Sequence, residues 1–277
     1  MGSGVICQID GIGSQPTFDL KNSMIGKNPT DYLEAGSLGI GSEVLVTPNL
    51  TSTDASDVYA RVTAIADGNT LTLSTGAGIA DADYVFLAHY NAGTPNASNR
   101  QMEMMGLKGL IDDATNVDAF ESITRSTNIW WKSYINSAPT NRSLTEDIMF
   151  TTFLEAKKKG EPKYILTSFD LFAAYGRLLS ADRRYTTDMT LNGGFSGVSF
   201  NGITFTADYD CPVAEMYFID PSTLSVEELS PMSFLQEDGA ILSRSLTTPA
   251  YQATLKYYAN LANSAPNKSA AARNLVA

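Results

Sequence analysis

Residues 143–179 carry the clearest structural signal in the chain, and they read SLTEDIMFTTFLEAKKKGEPKYILTSFDLFAAYGRLL. Ser143 and Glu146 have the spacing of a capping box, in which each side chain satisfies a backbone N–H of the other residue. The apolar stripe that follows consists of Ile148, Met149, Thr152, Phe153 and Ala156. Three lysines then occupy the last turn and Gly160 ends it, as is typical of a helix C-terminus. The stretch therefore predicts an amphipathic helix that begins at Ser143.

The same stretch continues with a strand and a second helix. Residues 164–166, Tyr-Ile-Leu, form a short apolar run of strand type. Thr167, with Asp170 three residues later, has the pattern of a helix N-terminus. We therefore predict a helix, a strand and a helix in direct succession.

A hairpin signal follows a glycine-rich loop, in GVSFNGITFT at residues 197–206. Asn201-Gly202 suits a type I′ turn, which would pair Phe200 with Ile203 and Val198 with Phe205. Further strands are predicted at MYFID, AILSRSL and YQATLKYY, which begin at residues 216, 240 and 251. This half of the chain is predicted to be α+β.

The first ninety residues have a β pattern instead. VICQID and PTFDL predict two short strands, which we assign to an N-terminal arm or extended loop over residues 1–33. Strand-like runs between turns then fill residues 34–92, and the clearest of these places Val58, Ala60, Val62 and Ala64 on one face. We predict a β-barrel-like insertion domain there.

The pattern changes again after a linker at residues 91–99. Met102, Met105, Leu107 and Leu110 have helical spacing. From this spacing we expect helices to dominate as far as about residue 185.

Charge and composition exclude several classes of function. Among 277 residues, 19 basic and 30 acidic side chains give a net charge of −11 at pH 7. Such a surface repels nucleic acid and anionic lipid, which argues against a sequence-specific DNA or RNA binder. His89 is the single histidine, so most histidine-based triads and metal sites are excluded. Cys7 and Cys211 have no paired spacing, which argues against disulfides or zinc and suggests a reducing compartment.

The sequence offers no membrane segment and no strong ligand motif. No stretch approaches the ~20 apolar residues of a membrane span, and residues 1–10 lack a signal-peptide pattern, so we expect a soluble protein made in the cytosol. GSLGIGSE at residues 36–43 leads into a strand rather than a helix, which favours a turn over a phosphate loop. The acidic pairs Asp112-Asp113 and Asp208/Asp210 lack a third oxygen ligand. We therefore predict no catalytic residue, no metal and no cofactor.

A few residues are candidate contacts between subunits. Lys157, Lys158 and Lys159 could bind phosphate or a neighbour, although lysines at a helix end usually complement the helix dipole. Arg177, Arg183 and Arg184 could pair with an acidic neighbouring surface, or form a solvated face. Trp130 and Trp131 point about 100° apart on a helix, so core or interface is favoured over a ligand platform.

Four segments occur in an order that matches a known family. They are GLKGLIDDATN from residue 106, the helix–strand–helix stretch from residue 143, GFSGVSFNGITFTADYDCPVAEMYFID from residue 194, and YQATLKYYANLANSAPNKSAAARNL from residue 251. In this order, and with the run Pro-x-x-Ile-Leu at residues 162–166, the chain resembles tailed-phage major capsid proteins of the Hong Kong 97 type. The resemblance covers about 175 residues.

The resemblance implies an α+β Hong Kong 97-like capsid fold. Residues 93–277 would form the peripheral and axial domains, with the helix from Ser143 as a spine-type helix, and residues 34–92 would be a β-rich insertion behind the arm at 1–33. The helical scaffolding segment that many members carry at the N-terminus is not found in this sequence, so a separate scaffold or a processed chain is expected. The family's Lys-Asn crosslink cannot be placed on any pair.

The function implied by the resemblance is that of a major capsid protein. Copies of the chain would assemble into pentamers and hexamers of an icosahedral phage head that encloses double-stranded DNA without sequence-specific binding. The expected partners are further copies, a portal protein, a scaffolding protein and a decoration protein. The chain would not be an enzyme, would bind no membrane, and would reside in the virion capsid after assembly in the host cytoplasm. Two alternatives stay open: an encapsulin-like shell protein, and a monomeric β-rich phage adhesion or tail module.

Overall fold

The computed structural model describes most of the chain. The described residues are 5–12, 15–34, 36–50, 56–66, 69–87, 90–91, 94–95, 104–182, 189–190, 196–236, 239–244, 251–253 and 255–277. Within them, no helix is long and apolar enough to cross a membrane.

A closed six-stranded barrel forms the N-terminal part of the chain. Its elements are β1 (Val5–Ile12), β2 (Thr17–Leu20), α1 (Pro29–Glu34), β3 (Glu43–Thr47), β4 (Val58–Ala66), β5 (Thr70–Leu73) and β6 (Tyr84–Leu87). The strand order is β1-β2-β5-β4-β3-β6, and every neighbouring pair is antiparallel. The interior is filled by side chains that are almost entirely buried, among them Cys7, Phe18, Val44, Val46, Val62, Leu71 and Val85. Because the barrel is closed, both edges of every strand are hydrogen-bonded to a neighbouring strand.

The barrel corrects two expectations about the N-terminal region. β1 and β2 do not form a separate arm, because β1 pairs with β6 through Cys7 and Val85, and β2 pairs with β5. The barrel therefore needs residues 5–20 to close. The expected alternation along β4 also fails at its end: the register shifts between Val62 and Ala64, which leaves Ala64 exposed.

The remaining elements belong to the second part of the chain or to the segment that leads into it. In chain order they are β7 (Tyr90–Asn91), β8 (Thr94–Pro95), α2 (Leu107–Leu110), β9 (Ala119–Phe120), β10 (Ile123–Thr124), β11 (Tyr134–Asn136), β12 (Arg142–Ser143), α3 (Glu146–Lys157), β13 (Tyr164–Thr167), α4 (Phe169–Asp182), β14 (Met189–Thr190), β15 (Ser196–Phe200), β16 (Ile203–Ala207), β17 (Met216–Ile219), β18 (Leu224–Phe234), β19 (Ser243–Arg244), β20 (Tyr251–Gln252), β21 (Leu255–Asn263), β22 (Ala270–Ala272) and β23 (Leu275–Val276). Short 3-10 turns lie at Ile129–Trp131, Pro221–Thr223 and Pro266–Lys268.

A seven-stranded mixed sheet organises this second part, which is α+β. Its order is β11-β22-β17-β13-β16-β15-β14. β13 runs parallel to β16 and antiparallel to β17, and β22 lies between β11 and β17. α3 and α4 bury their apolar faces against the sheet, in a core that includes Met149, Phe153, Leu171, Tyr175, Phe205 and Phe218. We call the sheet with these two helices the body.

Both helices begin later than the sequence predicts. Ser143 lies in β12, and the N-cap of α3 is Thr145, whose Oγ1 accepts a hydrogen bond from the Ile148 N–H at 3.3 Å. Thr167 is the last residue of β13, and the Leu171 N–H at the start of α4 donates to Ser168 Oγ at 3.5 Å. A hydroxyl residue can cap only where the backbone leaves the strand, so the two strands displace both caps.

The predicted hairpin is confirmed. β15 and β16 pair Phe200 with Ile203 and Val198 with Phe205. Asn201 and Gly202 both have positive φ, 50° and 80°, as a type I′ turn requires.

The predicted run of helices from residue 102 to 145 is wrong. The described part of this segment contains one α-helical turn, α2, and otherwise short strands and turns. The side chain of Asp112 explains the difference, because its Oδ2 accepts the N–H groups of Asn116 at 2.9 Å and Val117 at 3.0 Å. These local hydrogen bonds replace the helical ones and fold the chain into a loop.

Candidate assembly surface

A long two-stranded ribbon is the least enclosed feature of the molecule. It consists of β18 (Leu224–Phe234) and β21 (Leu255–Asn263), which pair antiparallel from Leu224 with Asn263 to Phe234 with Leu255. The register shifts twice along this pairing, between Glu228 and Ser230 and again between Ser230 and Ser233, and such bulges bend and twist a ribbon. We call β18 and β21 together the ribbon.

The ribbon exposes apolar side chains on both strands. In the described part of the chain, 10 of the 22 large apolar side chains that are exposed lie between residues 224 and 263. The most exposed on β18 is Leu229, at 90%, and the others on the two strands are Val226, Met232, Phe234, Leu255, Tyr257 and Tyr258. A concentration of exposed apolar side chains on one element is typical of a site of interaction in a folded protein.

The ribbon also has unpaired edges. Within the described residues, β18 and β21 pair only with each other. An isolated two-stranded ribbon is marginally stable in water, and its outer N–H and C=O groups are available to another strand. The ribbon is therefore a structure that a partner would complete.

The base of the ribbon is held by the loop that residues 105–121 form. The Met105 N–H donates to Asn260 Oδ1 at 3.2 Å, and the Asn263 N–H donates to Glu121 Oε1 at 3.1 Å. Leu224 and Leu261 pack against the apolar cluster beneath. These contacts orient the ribbon on the body while its outer part stays exposed.

A buried charged network fixes that loop in turn. Asp112, which is fully buried, accepts a hydrogen bond from Arg273 Nη1 at 2.8 Å and lies 3.9 Å from Arg125 Nη1. Arg125, also fully buried, donates to the carbonyl oxygens of Gly109, Leu110 and Val117 at 2.7–2.9 Å. We call Asp112, Arg125, Arg273 and Glu215 the charged network.

Glu215 connects the network to the sheet. Its carboxylate lies 2.7 Å from Lys108 Nζ and 3.9 Å from Arg273 Nε, and it accepts the hydroxyl of Tyr217 on β17. Burial and the charge of Glu215 raise the pKa of Tyr217, so this phenol stays protonated and donates.

The charge of Asp112 is maintained although the side chain is buried. Burial opposes ionisation, but hydrogen bonds from Val117, Arg273 and Asn116 outweigh it and hold the pKa of Asp112 below its usual value. Asp112 is thus an anion at neutral pH, held between two guanidinium groups. Its oxygens are fully used by these donors, which leaves none for the metal ion considered from the sequence.

The residues singled out as candidate contacts lie on separate elements. Lys157 is 3.7 Å from Glu161, Lys158 pairs with Glu155, and Lys159 is exposed just beyond α3. Arg177 is exposed on α4, whereas Arg183 and Arg184 lie outside the described residues. A contact of these side chains with another subunit stays a prediction.

The two tryptophans have different environments. Trp131 is buried, stacks on Phe120 and donates its indole N–H to the Phe120 carbonyl at 3.3 Å. It belongs to the core of its own chain, which corrects its choice as an intersubunit contact. Trp130 is 58% exposed beside Ile129, which is 77% exposed, so its contact with a neighbour stays a prediction.

The other motifs considered from the sequence are acidic pairs, a glycine-rich stretch and His89. Within the described ranges, no group of three or more histidine, cysteine or acidic residues could hold a metal ion. The glycines at 36–41 lie in turns before β3, and His89 lies outside the described residues.

Sequence reasoning missed both the ribbon and the charged network. β18 reads LSVEELSPMSF, in which the bulges disrupt the alternation that reveals a strand. The strands predicted at residues 216 and 251 correspond to β17 and to the start of β20 and β21. The sequence does contain a signal for the network, because Asp112 and Arg273 are charged residues that each adjoin an apolar run. Their pairing could not be predicted, because they are 161 residues apart in the chain.

The solved structures that are similar to the chain include a phage capsid and an encapsulin. The capsid of cyanophage A-1(L) matches over 58% of this chain and 57% of its own, with 17% identity and a TM-score of 0.43. The holo-SrpI encapsulin complex of Synechococcus elongatus PCC 7942 matches over 51% of this chain and 53% of its own, with 20% identity and a TM-score of 0.40. The chain thus matches little more than half the length of either protein. No family model matches the sequence, and no curated protein matches it.

Proposed function

We propose that the chain is the repeating subunit of a closed protein shell. The observation that carries this proposal is the ribbon, which combines exposed apolar side chains with two edges that are unpaired within the described residues, on a firmly held base. A second copy of the same chain is the partner that completes it.

Charge supports a second copy as the partner. Two copies with a net charge of −11 repel each other over most of their surface. The charged residues on the two strands of the ribbon are Glu227, Glu228 and Lys256, so repulsion between copies is weak there. A contact of the ribbon with a different patch on the next copy is heterologous, and heterologous contacts form rings or shells when the rotation closes.

The more specific form of the proposal rests on the sequence resemblance. The shell is then an icosahedral phage head of pentamers and hexamers around double-stranded DNA, built in the host cytoplasm with portal, scaffolding and decoration proteins. The role is structural rather than enzymatic. An encapsulin-like shell with protein cargo is the competing form of the same proposal.

Sedimentation velocity of the purified full chain, with negative-stain microscopy of the same samples, tests shell formation. We expect rings or closed particles from the wild type. The double variant Leu229→Ser, Phe234→Ser should remain as small subunits with an unchanged circular dichroism spectrum, because both side chains are exposed in the single chain. The matched control, Met24→Ser with Ile40→Ser, changes two exposed apolar residues away from the ribbon and should assemble normally. A wild type that remains monomeric at every concentration, alone and when co-expressed with its neighbouring genes, would contradict the proposal.

The contents of particles purified from the native source distinguish the two forms of shell. Particles that are phage heads should have the ultraviolet absorbance ratio typical of nucleic acid. Their DNA should resist added nuclease until the particles are opened. Particles that contain protein cargo and no nuclease-protected DNA would contradict the phage-head form and favour the encapsulin-like one.

A further inference from the structure

A lysine-rich pocket lies at the C-terminal end of α3, and part of its lining comes from residues that flank the two ribbon strands. Its volume is about 420 Å³, and its lining includes five lysines: Lys157, Lys158, Lys159, Lys163 and Lys268. Pockets for small molecules usually have volumes of ~300–1,000 Å³, so this one has room for a compact ligand.

Three distant segments build the pocket around a glycine. Gly160 packs so closely that a Cβ there would lie 2.6 Å from Lys268 Cβ and 3.0 Å from Asp220 Oδ2. Only glycine therefore allows the end of α3 to meet the turn at Pro266–Lys268 and the end of β17. This packing brings Lys268 beside lysines that are more than 100 residues earlier in the chain.

The lining has an excess of positive charge. The five ammonium groups face two carboxylates, those of Glu161 and Asp220. Asp220 is already engaged, because it accepts the N–H of Glu161 at 3.0 Å and both the N–H and the hydroxyl of Ser222. Burial opposes its charge, but these hydrogen bonds and the nearby Lys268 hold the pKa of Asp220 below its usual value.

Several of the lysines have no counter-charge in direct contact. Within the described residues, Lys159, Lys163 and Lys268 have no carboxylate oxygen within 4 Å. The C-terminus of a helix carries about half a negative charge, which can partly offset the charge of one lysine but not that of all these lysines. The fold thus holds like charges together in a chain whose net charge is −11.

We propose that this pocket binds a compact phosphate-bearing anion with at least two phosphate groups, such as pyrophosphate or the diphosphate of a nucleotide. Lysine is a common phosphate ligand that acts as a point charge, and five of them match the charge density of such an anion. No backbone N–H in the loop from 158 to 161 is free, since each donates within the chain. Recognition therefore depends on the ammonium groups, and salt weakens it.

Isothermal titration calorimetry of the full chain with pyrophosphate tests the site, at an ionic strength of about 0.05 M where screening is weak. We expect one site per chain and a pyrophosphate-dependent rise in Tm. The double variant Lys159→Gln, Lys163→Gln should bind at least about tenfold more weakly, because each lost charge-assisted bond lowers affinity severalfold. The matched control, Lys21→Gln with Lys132→Gln, removes the same charge outside the pocket and the ribbon and should keep wild-type affinity.

Three results would overturn the assignment. These are no binding heat and no rise in Tm with pyrophosphate, an equal loss of affinity in the control variant, and full affinity in the pocket variant. A short DNA duplex that binds through Lys159 and Lys163 while pyrophosphate does not would also overturn it, since the ligand would then be a nucleic-acid backbone. Sedimentation profiles of the same samples ensure that all variants are compared in one assembly state.

Discussion

The barrel and the ribbon are both β structures, but they deal with their edges in opposite ways. The barrel joins six strands into a ring, so that every edge is paired and residues such as Phe18 and Val46 are fully buried. The ribbon has two strands, two free edges within the described residues and a row of exposed apolar side chains. The barrel is complete within one chain, whereas the ribbon is not.

Because of this difference, the barrel should govern the stability of the single chain, whereas the ribbon should govern association between chains. A closed barrel needs no partner, so substitutions in it should change the folding of the single chain. The ribbon contributes little to the core of its own chain, so substitutions there should change association instead.

Replacement of Asp112 by alanine should have the largest effect on stability. It leaves Arg125 and Arg273 buried without their shared carboxylate, and loss of one partner from a buried ion pair costs about 3–5 kcal/mol. Urea unfolding followed by circular dichroism measures the change. The neighbouring Asp113→Ala removes only two local hydrogen bonds, both donated by Thr115, and should cost about 1 kcal/mol. Equal costs for the two variants would contradict the role of the network.

A pair of phenylalanine substitutions compares the barrel with the ribbon directly. Phe18→Ala should destabilise the chain by about 3–4 kcal/mol, since it leaves a cavity in the barrel core. Phe234→Ala should change stability by only about 0.5 kcal/mol, because the ring is half exposed. The same urea titration gives both values. A large loss with Phe234→Ala would mean that the ribbon is part of the core after all.

The two cysteines report separately on the barrel and the body. Cys7 lies in the barrel core, and Cys211 lies in the cluster beside the charged network. Burial raises the pKa of Cys7 to about 11 and that of Cys211 to about 12, so both thiols should react slowly in the native chain. Asp112→Ala should speed alkylation of Cys211 about tenfold or more while Cys7 stays protected, since tenfold requires only ~1.4 kcal/mol. Mass spectrometry after a short pulse of iodoacetamide measures both sites, and parallel increases would show that barrel and body open together.

Acid should produce the smallest change. Asp112 and Asp220 have lowered pKa values in the folded chain, so the stability they contribute is present above the unfolded carboxyl pKa of ~3.9 and is lost as the pH falls below it. Each group adds a slope of at most about 1.4 kcal/mol per pH unit. Unfolding of the wild type and of Asp112→Ala between pH 6 and pH 3 should therefore give a shallower slope in the variant. Identical slopes would mean that the pKa of Asp112 is the same in the folded and the unfolded chain.

The sequence predicts those parts of the fold that depend on near neighbours. The hairpin at Asn201-Gly202 was predicted with its register, because a two-residue turn fixes the pairing on both sides. The helix α3 was predicted too, although its cap was placed two residues early. The barrel was expected, but without its first two strands, since nothing local shows that β1 pairs with β6 some 75 residues later.

The candidate assembly surface was harder to predict for the same reason. The resemblance to capsid proteins suggested assembly but gave no contact residues. Trp131 was chosen by residue type and proved to be core, because residue type alone does not report burial. The ribbon escaped notice because its exposed apolar residues have a strand pattern only once the bulges are known.

The position of β22 has a consequence for the timing of folding. β22 fills the gap between β11 and β17, yet it follows the ribbon in the chain. During synthesis the ribbon therefore leaves the ribosome before the sheet that orients it can close. Copies that met through their ribbons at that moment would join at an undefined angle, and such contacts lead to aggregates rather than to a curved shell. Closure of the sheet must therefore be faster than encounter between chains, so slow or dilute synthesis should give a higher yield of correctly assembled particles than rapid overexpression.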